Sequence, residues 1–264
     1  MADNVEHDFE GLRSAFAAWL RDRQDRSAHT VRGYTAALRD FAAWYRQSTG
    51  EPLTPAAVTQ GDVRLYRQHL QSVRKLAPAT VNRHLAALRT FARWAQEAGL
   101  IVHNPVNGVR RVAQATPGPR WLDRREQGAL LRAAQKEVQV GEVRAGGDRT
   151  HPASVWPRRD LALIVLLLNT GLRLAEVAAL TVDDVTINER SGRVIVRQGK
   201  GRKYREVPLN ASARKALREW LEVRPQDASD ALFLSQKGGA LSARGVSARV
   251  AALAEAAGLD GVSV

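Results

Sequence analysis

The first hundred residues carry apolar side chains at the three- and four-residue spacing of amphipathic helices. Thr59 followed by Asp62 has the form of a capping box before the third of these stripes. Four helices with short connections predict a compact all-α domain whose aromatic side chains pack in the core. The stripes are Phe9, Leu12, Phe16 and Leu20; Val31, Tyr34, Leu38, Phe41 and Tyr45; Val63, Tyr66, Leu70 and Val73; and Val81, Leu85, Leu88, Ala92 and Ala95.

A proline- and glycine-rich stretch, Ala115–Pro119, interrupts this pattern and predicts a linker. We therefore expect two domains, over residues 1–114 and 120–264. Early in the second domain, residues Val140–Pro157 contain three glycines and two prolines, which predicts an irregular loop.

The remainder of the second domain mixes helical patterns with a β-hairpin. The predicted fold class is mainly α with a small β-sheet. We expect a capped helix from Asp123, an apolar helix over Asp160–Leu168, a second helix ending at Leu180, a hairpin of Arg193–Val196 with Tyr204–Pro208, and helices over Ser212–Val223 and Ser242–Ala257.

The charge of the chain changes this picture from a generic helical protein to one with a polyanionic partner. Forty Lys and Arg against 27 Asp and Glu give a formal net charge of +13, and both predicted domains share the excess. The lack of cysteine excludes disulfides, thiolate zinc sites and cysteine nucleophiles. The longest apolar run, Leu161–Leu168, is too short to span a bilayer. We expect a cytoplasmic protein whose polyanionic partner is either nucleic acid or an anionic membrane surface.

The sharpest local motif is Thr170-Gly171-Leu172-Arg173 with Glu176 three residues further on. An arginine after a glycine turn can direct its guanidinium into a cleft, and Glu176 can hold it from the same helix face. An ordinary surface Arg–Glu pair is the alternative. The apolar helix that precedes Arg173 favours a position at the edge of a core.

The tip of the predicted hairpin is basic and flanked by glycines: Gly199, Lys200, Gly201, Arg202 and Lys203. A lysine on such a turn can reach a phosphate or protonate a leaving oxygen. The spacing excludes a Walker A loop. A solvated basic turn without function is the alternative interpretation.

Two of the predicted N-terminal helices combine hydroxyl, amide and arginine side chains suited to phosphate contact and groove reading. Helix capping and solvated charge are the alternatives. The candidate DNA-binding residues of these helices are Thr30 and Arg32 on one, and Thr80, Asn82, Arg83 and Arg89 on the other.

In their order along the chain, these motifs resemble the tyrosine recombinases, the Xer-like and phage-integrase-like enzymes. The resemblance implies an N-terminal SAM-like four-helix core-binding domain and an integrase-type catalytic domain. It rests on Thr30–Tyr34, Leu38–Phe41, Thr80–Phe91, Asn104-Pro105, Thr170–Arg173 with Glu176, and Gly199–Gly201 followed by Arg205–Leu209.

The resemblance also implies the chemistry: site-specific recombination of double-stranded DNA through a 3′-phosphotyrosyl intermediate, without metal or cofactor. By position, Arg173 matches the first catalytic arginine, Lys200 the hairpin lysine and Glu176 the acid that supports the arginine. Asp184 is a candidate structural partner. Arg202, Lys203 and Arg205 are expected to contact DNA, and self-association on paired sites is a further implication.

The chain departs from the family pattern after Ala257–Leu259, where a His-x-x-Arg box and the nucleophilic tyrosine are expected. We therefore expect a partial catalytic domain, truncated at its C-terminal end, that binds DNA without cleaving it. A non-catalytic regulator or competitor at recombination sites is the main alternative. A helical RNA-binding or membrane-surface protein is a more distant one. The tyrosines of the chain, none in the context of the nucleophile, are Tyr34, Tyr45, Tyr66 and Tyr204.

Overall fold

The computed structural model describes residues 2–114, 121–197, 204–226 and 229–259, with side chains from residue 9 onward. The chain divides into two compact units, Met1–Gly118 and Pro119–Val264, here called the N-terminal and C-terminal units. Within the described residues, no helix combines the length and apolar character needed to span a membrane.

The described part of the N-terminal unit is helical, as the periodicity predicts. The predicted capping box is present at the start of its third helix, where Asp62 accepts the Thr59 N–H at 2.8 Å and Thr59 Oγ1 accepts the Asp62 N–H at 3.3 Å. The helices are α1 Ala2–Asp22, α2 Ala28–Thr49, α3 Gln60–Ser72 and α4 Pro78–Glu97, with a short 3₁₀ turn at Pro55–Ala57.

The core of the N-terminal unit is formed by the apolar stripes of its helices. Phe16 on α1 meets Phe91 on α4 edge to face at 5.4 Å between ring centroids. Tyr66 is buried, and its hydroxyl lies 3.1 Å from Nδ1 of the buried His84. Val73 is an exception to the predicted stripe, because α3 ends at Ser72 and leaves Val73 69% exposed.

The C-terminal unit combines helices with a three-stranded antiparallel sheet in the order β1-β2-β3. The predicted fold class, mainly α with a small sheet, is confirmed. Val194 on the central strand is paired with Val185 and Val207 and is fully buried. The elements are α5 Arg124–Arg144, α6 Pro152–Thr170, α7 Leu174–Ala178, a 3₁₀ turn Val182–Asp184, β1 Val185–Ile187, β2 Gly192–Val196, β3 Arg205–Pro208, α8 Ala211–Val223 and α9 Ala243–Ala256.

The irregular loop expected over Val140–Pro157 is wrong for most of its length. The helix α5 continues to Arg144, and α6 already begins at Pro152. Proline at the first helical position costs nothing, because that N–H has no partner within a helix. Pro157 lies inside α6, where it provides no N–H for the carbonyl of Ala153.

Two further differences concern the sheet. The strand β1 has only three residues, all half-buried, so it shows none of the alternation by which a strand is recognised in sequence. Tyr204 precedes β3, which begins at Arg205, and is exposed rather than part of the strand.

Candidate functional site

Arg173 stands at the junction between the buried helix α6 and the short helix α7. Gly171 ends α6 in the left-handed conformation, φ 61°, and its N–H donates to the carbonyl of Leu167 at 3.1 Å. The turn buries Leu172 and brings Arg173 to the N-cap of α7 with its side chain 60% exposed. A charged group thus lies at the edge of an apolar core, as the sequence predicts.

Glu176 is the centre of this site and is contacted from two elements. Its Oε2 accepts the backbone N–H of Arg173 and its Oε1 a terminal guanidinium N–H of Arg173, both at 2.9 Å. Arg205 at the start of β3 forms a bidentate pair with the same carboxylate, at 3.0 Å to Oε1 and 2.7 Å to Oε2. The expected contact between Arg173 and Glu176 is present; the contact with Arg205 is additional.

The carboxyl of Glu176 is ionised at neutral pH. Its side chain is only 4% exposed, yet its pKa is lowered to about 2, chiefly by the hydrogen bonds from Arg205. The hydrogen bonds from Arg173 lower the pKa further, whereas burial opposes them. Two guanidinium groups and one carboxylate leave a net positive charge, and this arrangement is suited to binding an anion such as a phosphate.

Asp184 forms a second buried carboxylate near the sheet. One oxygen accepts the backbone N–H and the hydroxyl of Thr181, both at 2.9 Å, and the other accepts Nε of Arg197. Burial raises the pKa of Asp184, but these hydrogen bonds outweigh it and bring the pKa below its ordinary value. Asp184 therefore joins Thr181 and Arg197 through one buried carboxylate.

The partner of Asp184, Arg197, was missed by sequence reasoning. Arg197 directly follows β2 and Arg205 opens β3, so an arginine bound to a buried carboxylate flanks each side of the intervening segment. Two arginines on either side of a glycine-containing stretch of sequence, with two acids upstream, are the signal that points to this arrangement. The predicted tip residues Lys200, Arg202 and Lys203 lie outside the described residues.

The candidate residues near the start of α2 lie close to its N-terminal cap. Ser27 is the cap, and its Oγ accepts the Thr30 N–H at 3.3 Å and lies 3.0 Å from the Thr30 hydroxyl. Arg32 is exposed. The hydroxyl of Thr30 therefore takes part in capping, while the Arg32 side chain is accessible to a ligand.

The start of α4 differs from that of α2. Its N-cap is Ala77, which has no side-chain acceptor, so the alternative of Thr80 as the capping residue is wrong. Thr80 instead donates its N–H to the carbonyl of Ala77 at 2.9 Å. Arg83 is exposed, and in the described part of the chain it has no ion pair.

Asn82 and Arg89, both predicted to bind DNA, point at a neighbouring backbone segment. The Asn82 amide donates to the Val112 carbonyl at 3.0 Å and accepts the Val112 N–H at 2.9 Å. Arg89 donates to the carbonyl of Val109 at 3.3 Å. These side chains hold the segment after α4 against the helix, a structural role that sequence reasoning missed because the contact spans 30 residues.

Comparison with known proteins identifies relatives of both units. A model of the phage integrase family matches residues 146–263, and a model of the phage integrase N-terminal SAM-like domain matches residues 12–100. Tyrosine recombinase XerC of Shewanella oneidensis is 32% identical over 257 residues, which cover 94% of this chain and 74% of the relative. Tyrosine recombinase XerC of Neisseria meningitidis is 33% identical over 248 residues, with 92% and 75% covered.

Solved structures share the fold. A lambda integrase dimer bound to a COC′ core site superposes with a TM-score of 0.67 at 17% identity, covering 96% of this chain and 83% of that one. XerH recombinase bound to palindromic difH, in a post-cleavage complex, gives a TM-score of 0.67 at 22% identity, with 94% and 68% covered. At such identities the likeness concerns the fold alone.

Proposed function

The chain belongs to the phage integrase family, the tyrosine recombinases, and we propose that it binds duplex DNA at recombination sites and holds a backbone phosphate with Arg173. The observation that carries the proposal is the exposed guanidinium of Arg173, fixed by the buried carboxylate of Glu176. A preorganised guanidinium stabilises charge on a phosphoryl group without having to be ordered when the ligand arrives.

Phosphate contacts from both parts of the chain complete this proposal. The domains extend over residues 1–114 and 120–264, and 115–119 joins them. Arg32 and Arg83 supply accessible charge in the first domain; both are exposed. In the second, Lys200, Arg202 and Lys203 remain predicted contacts. Solved relatives include a lambda integrase dimer on a core site and a tetramer on a Holliday junction, which supports self-association on paired sites here.

We also propose that residues 1–264 bind DNA without forming a phosphotyrosyl bond by themselves. Tyr45 and Tyr66 are buried, and Tyr34 packs against the same core. Tyr204 is exposed, but its hydroxyl donates to Glu206 at 2.6 Å, which raises the pKa of the phenol. A nucleophile must be free and ionisable in line with the phosphate. These tyrosine environments favour a second candidate function, that of a non-catalytic regulator or competitor that occupies recombination sites.

The test is a binding titration with duplexes selected from a random library, at several salt concentrations. We expect the logarithm of the association constant to fall linearly with the logarithm of the salt concentration, by about 0.9 for each phosphate contacted. Arg173→Ala should weaken binding about five- to tenfold and reduce that slope by about one contact.

The matched control is Arg149→Ala. Arg149 is a half-exposed arginine of the C-terminal unit that pairs with Glu222 at 2.9 Å. Its removal should leave affinity within about twofold of the wild type, since a solvated ion pair contributes little. Equal affinities of Arg173→Ala and the wild type would contradict the proposed phosphate site.

A further inference from the structure

Glu176 is shared between two arginines that reach it from different elements, and the two are not equivalent. We propose that Arg205 is a positioning residue: it holds Glu176, and through Glu176 the guanidinium of Arg173, and does not itself contact DNA. This inference rests on the proposed function, in which Arg173 binds a phosphate. It replaces the expectation that Arg205 binds DNA directly.

The hydrogen bonds distinguish the two arginines. Both terminal nitrogens of Arg205 donate to Glu176, so its end-on fork is occupied and only the edge that carries Nε could face another ligand. Arg173 gives only one terminal nitrogen to Glu176, and in the described part of the chain its other terminal nitrogen has no acceptor. Exposure follows the same order, since the side chain of Arg173 is 60% exposed and that of Arg205 36%.

The short helix that carries Glu176 explains why a second arginine is needed. With five residues, α7 is too short to be stable by its own backbone hydrogen bonds. Glu176 satisfies the N–H of Arg173 at its start, and Arg205 ties the same carboxylate to β3. Helix, carboxylate and strand thus form one unit, and Arg173 is held at its edge.

Arg205 also helps to keep the carboxyl of Glu176 ionised. Glu176 is almost fully buried, and a buried carboxylate with too few donors takes up a proton instead. The hydrogen bonds from Arg205 are the largest cause of its lowered pKa, ahead of those from Arg173. Without Arg205, Glu176 becomes protonated more easily, and a protonated Glu176 holds the guanidinium of Arg173 less firmly.

A double-mutant cycle on DNA affinity tests this inference. We expect Arg205→Ala to weaken binding about three- to tenfold in the wild-type background and less than about twofold in the Arg173→Ala background, because the two residues act in series. Losses that multiply would show that Arg205 contacts DNA independently, and would overturn the inference while leaving the proposed function intact. If Arg173→Ala alone has no effect, both fail.

The control on the same sheet is Arg193→Ala. Arg193 on β2 pairs with Glu206 at 3.3 Å, with both side chains half-exposed, and it does not contact Glu176. Its removal should change affinity less than about twofold in either background. A loss equal to that of Arg205→Ala would indicate a general effect of charge on the sheet and overturn the inference.

Arg205→Lys is a second variant that tests the inference even if Arg205→Ala does not fold. Lysine retains the charge but cannot form the bidentate fork. The DNA affinity of this variant, relative to that of the wild type, should fall further between pH 7 and pH 4.5. In the variant Glu176 takes up a proton in this range, whereas the wild-type carboxyl, with its pKa of about 2, stays ionised. Circular dichroism shows whether the variant is folded. If it is folded and the ratio of its DNA affinity to that of the wild type does not change with pH, a role of Arg205 through Glu176 is contradicted.

Discussion

Gly141 on α5 lies so close to the carbonyl of Ala153 on α6 that a side chain at position 141 would overlap that oxygen. Pro157 explains why this carbonyl is available, because proline provides no N–H four residues further along the helix. The glycine and the proline that suggested a loop in the sequence are therefore the residues that allow two helices to pack closely.

We predict that Gly141→Ala destabilises the protein although alanine favours helix. The overlap should reduce the free energy of unfolding by about 1 to 3 kcal/mol, the usual cost of overpacking a rigid contact. The control is Gly128→Ala on the same helix, where a new methyl would meet only the end of the flexible Arg132 side chain. Urea denaturation should show Gly128→Ala unchanged or more stable by about 0.5 to 1 kcal/mol.

We predict that the adjacent α4 residues Asn82 and Arg83 have different roles: Asn82 contributes to stability, and Arg83 contributes to DNA binding. Asn82→Ala leaves the N–H and carbonyl of Val112 without their partner and should cost about 1 to 3 kcal/mol in unfolding free energy. Arg83→Ala should leave stability unchanged and weaken DNA binding. Thermal melting and a DNA-binding titration on both variants test these two roles. If Asn82→Ala is as stable as the wild type, the structural role of Asn82 is ruled out.

We predict that the ionised form of Glu176 stabilises the C-terminal unit. Its pKa is lowered from 4.5 to about 2, chiefly by hydrogen bonds from Arg205. A lowered pKa means that the carboxylate's contribution is present above pH 4.5 and is lost as the pH falls toward 2. Glu176→Gln should therefore be less stable than wild type at pH 7, and the difference should shrink in acid.

The control for this prediction is Glu219→Gln on α8. Glu219 is 41% exposed and lies 3.9 Å from Lys215, so its charge contributes little to stability. Urea denaturation at pH 7 and pH 3 should give similar small differences for this variant. A Glu176→Gln difference that stays constant with pH would show that the charge of Glu176 is not what stabilises the fold.

We predict that the 264-residue chain forms no covalent adduct with a suicide substrate nicked near the scissile phosphate. Denaturing electrophoresis measures this directly, and a recombinase that cleaves the same substrate serves as the positive control. A buried tyrosine such as Tyr45 or Tyr66 cannot lie in line with a phosphate, and the pKa of the exposed Tyr204 is raised by its hydrogen bond to Glu206. The account fails if peptide mapping finds DNA attached to any of the four tyrosines, which are Tyr34, Tyr45, Tyr66 and Tyr204.

The sequence by itself determined the features that depend on neighbours three or four residues apart. The helical stripes, the capping box of Thr59 with Asp62 and the pair of Arg173 with Glu176 all follow from local geometry. The family could also be identified from short motifs in their order along the chain, and the comparisons confirm it.

Only the tertiary structure decided which distant groups meet. Arg205 reaches Glu176 across 29 residues, and Asn82 reaches Val112 across 30. No local spacing encodes such contacts, because they depend on where a strand or segment docks. Gly141 and Pro157 were misread for the same reason: each weakens an isolated helix, but in the folded protein each serves the contact between two helices. Local propensity was overruled there by the close packing of α5 against α6.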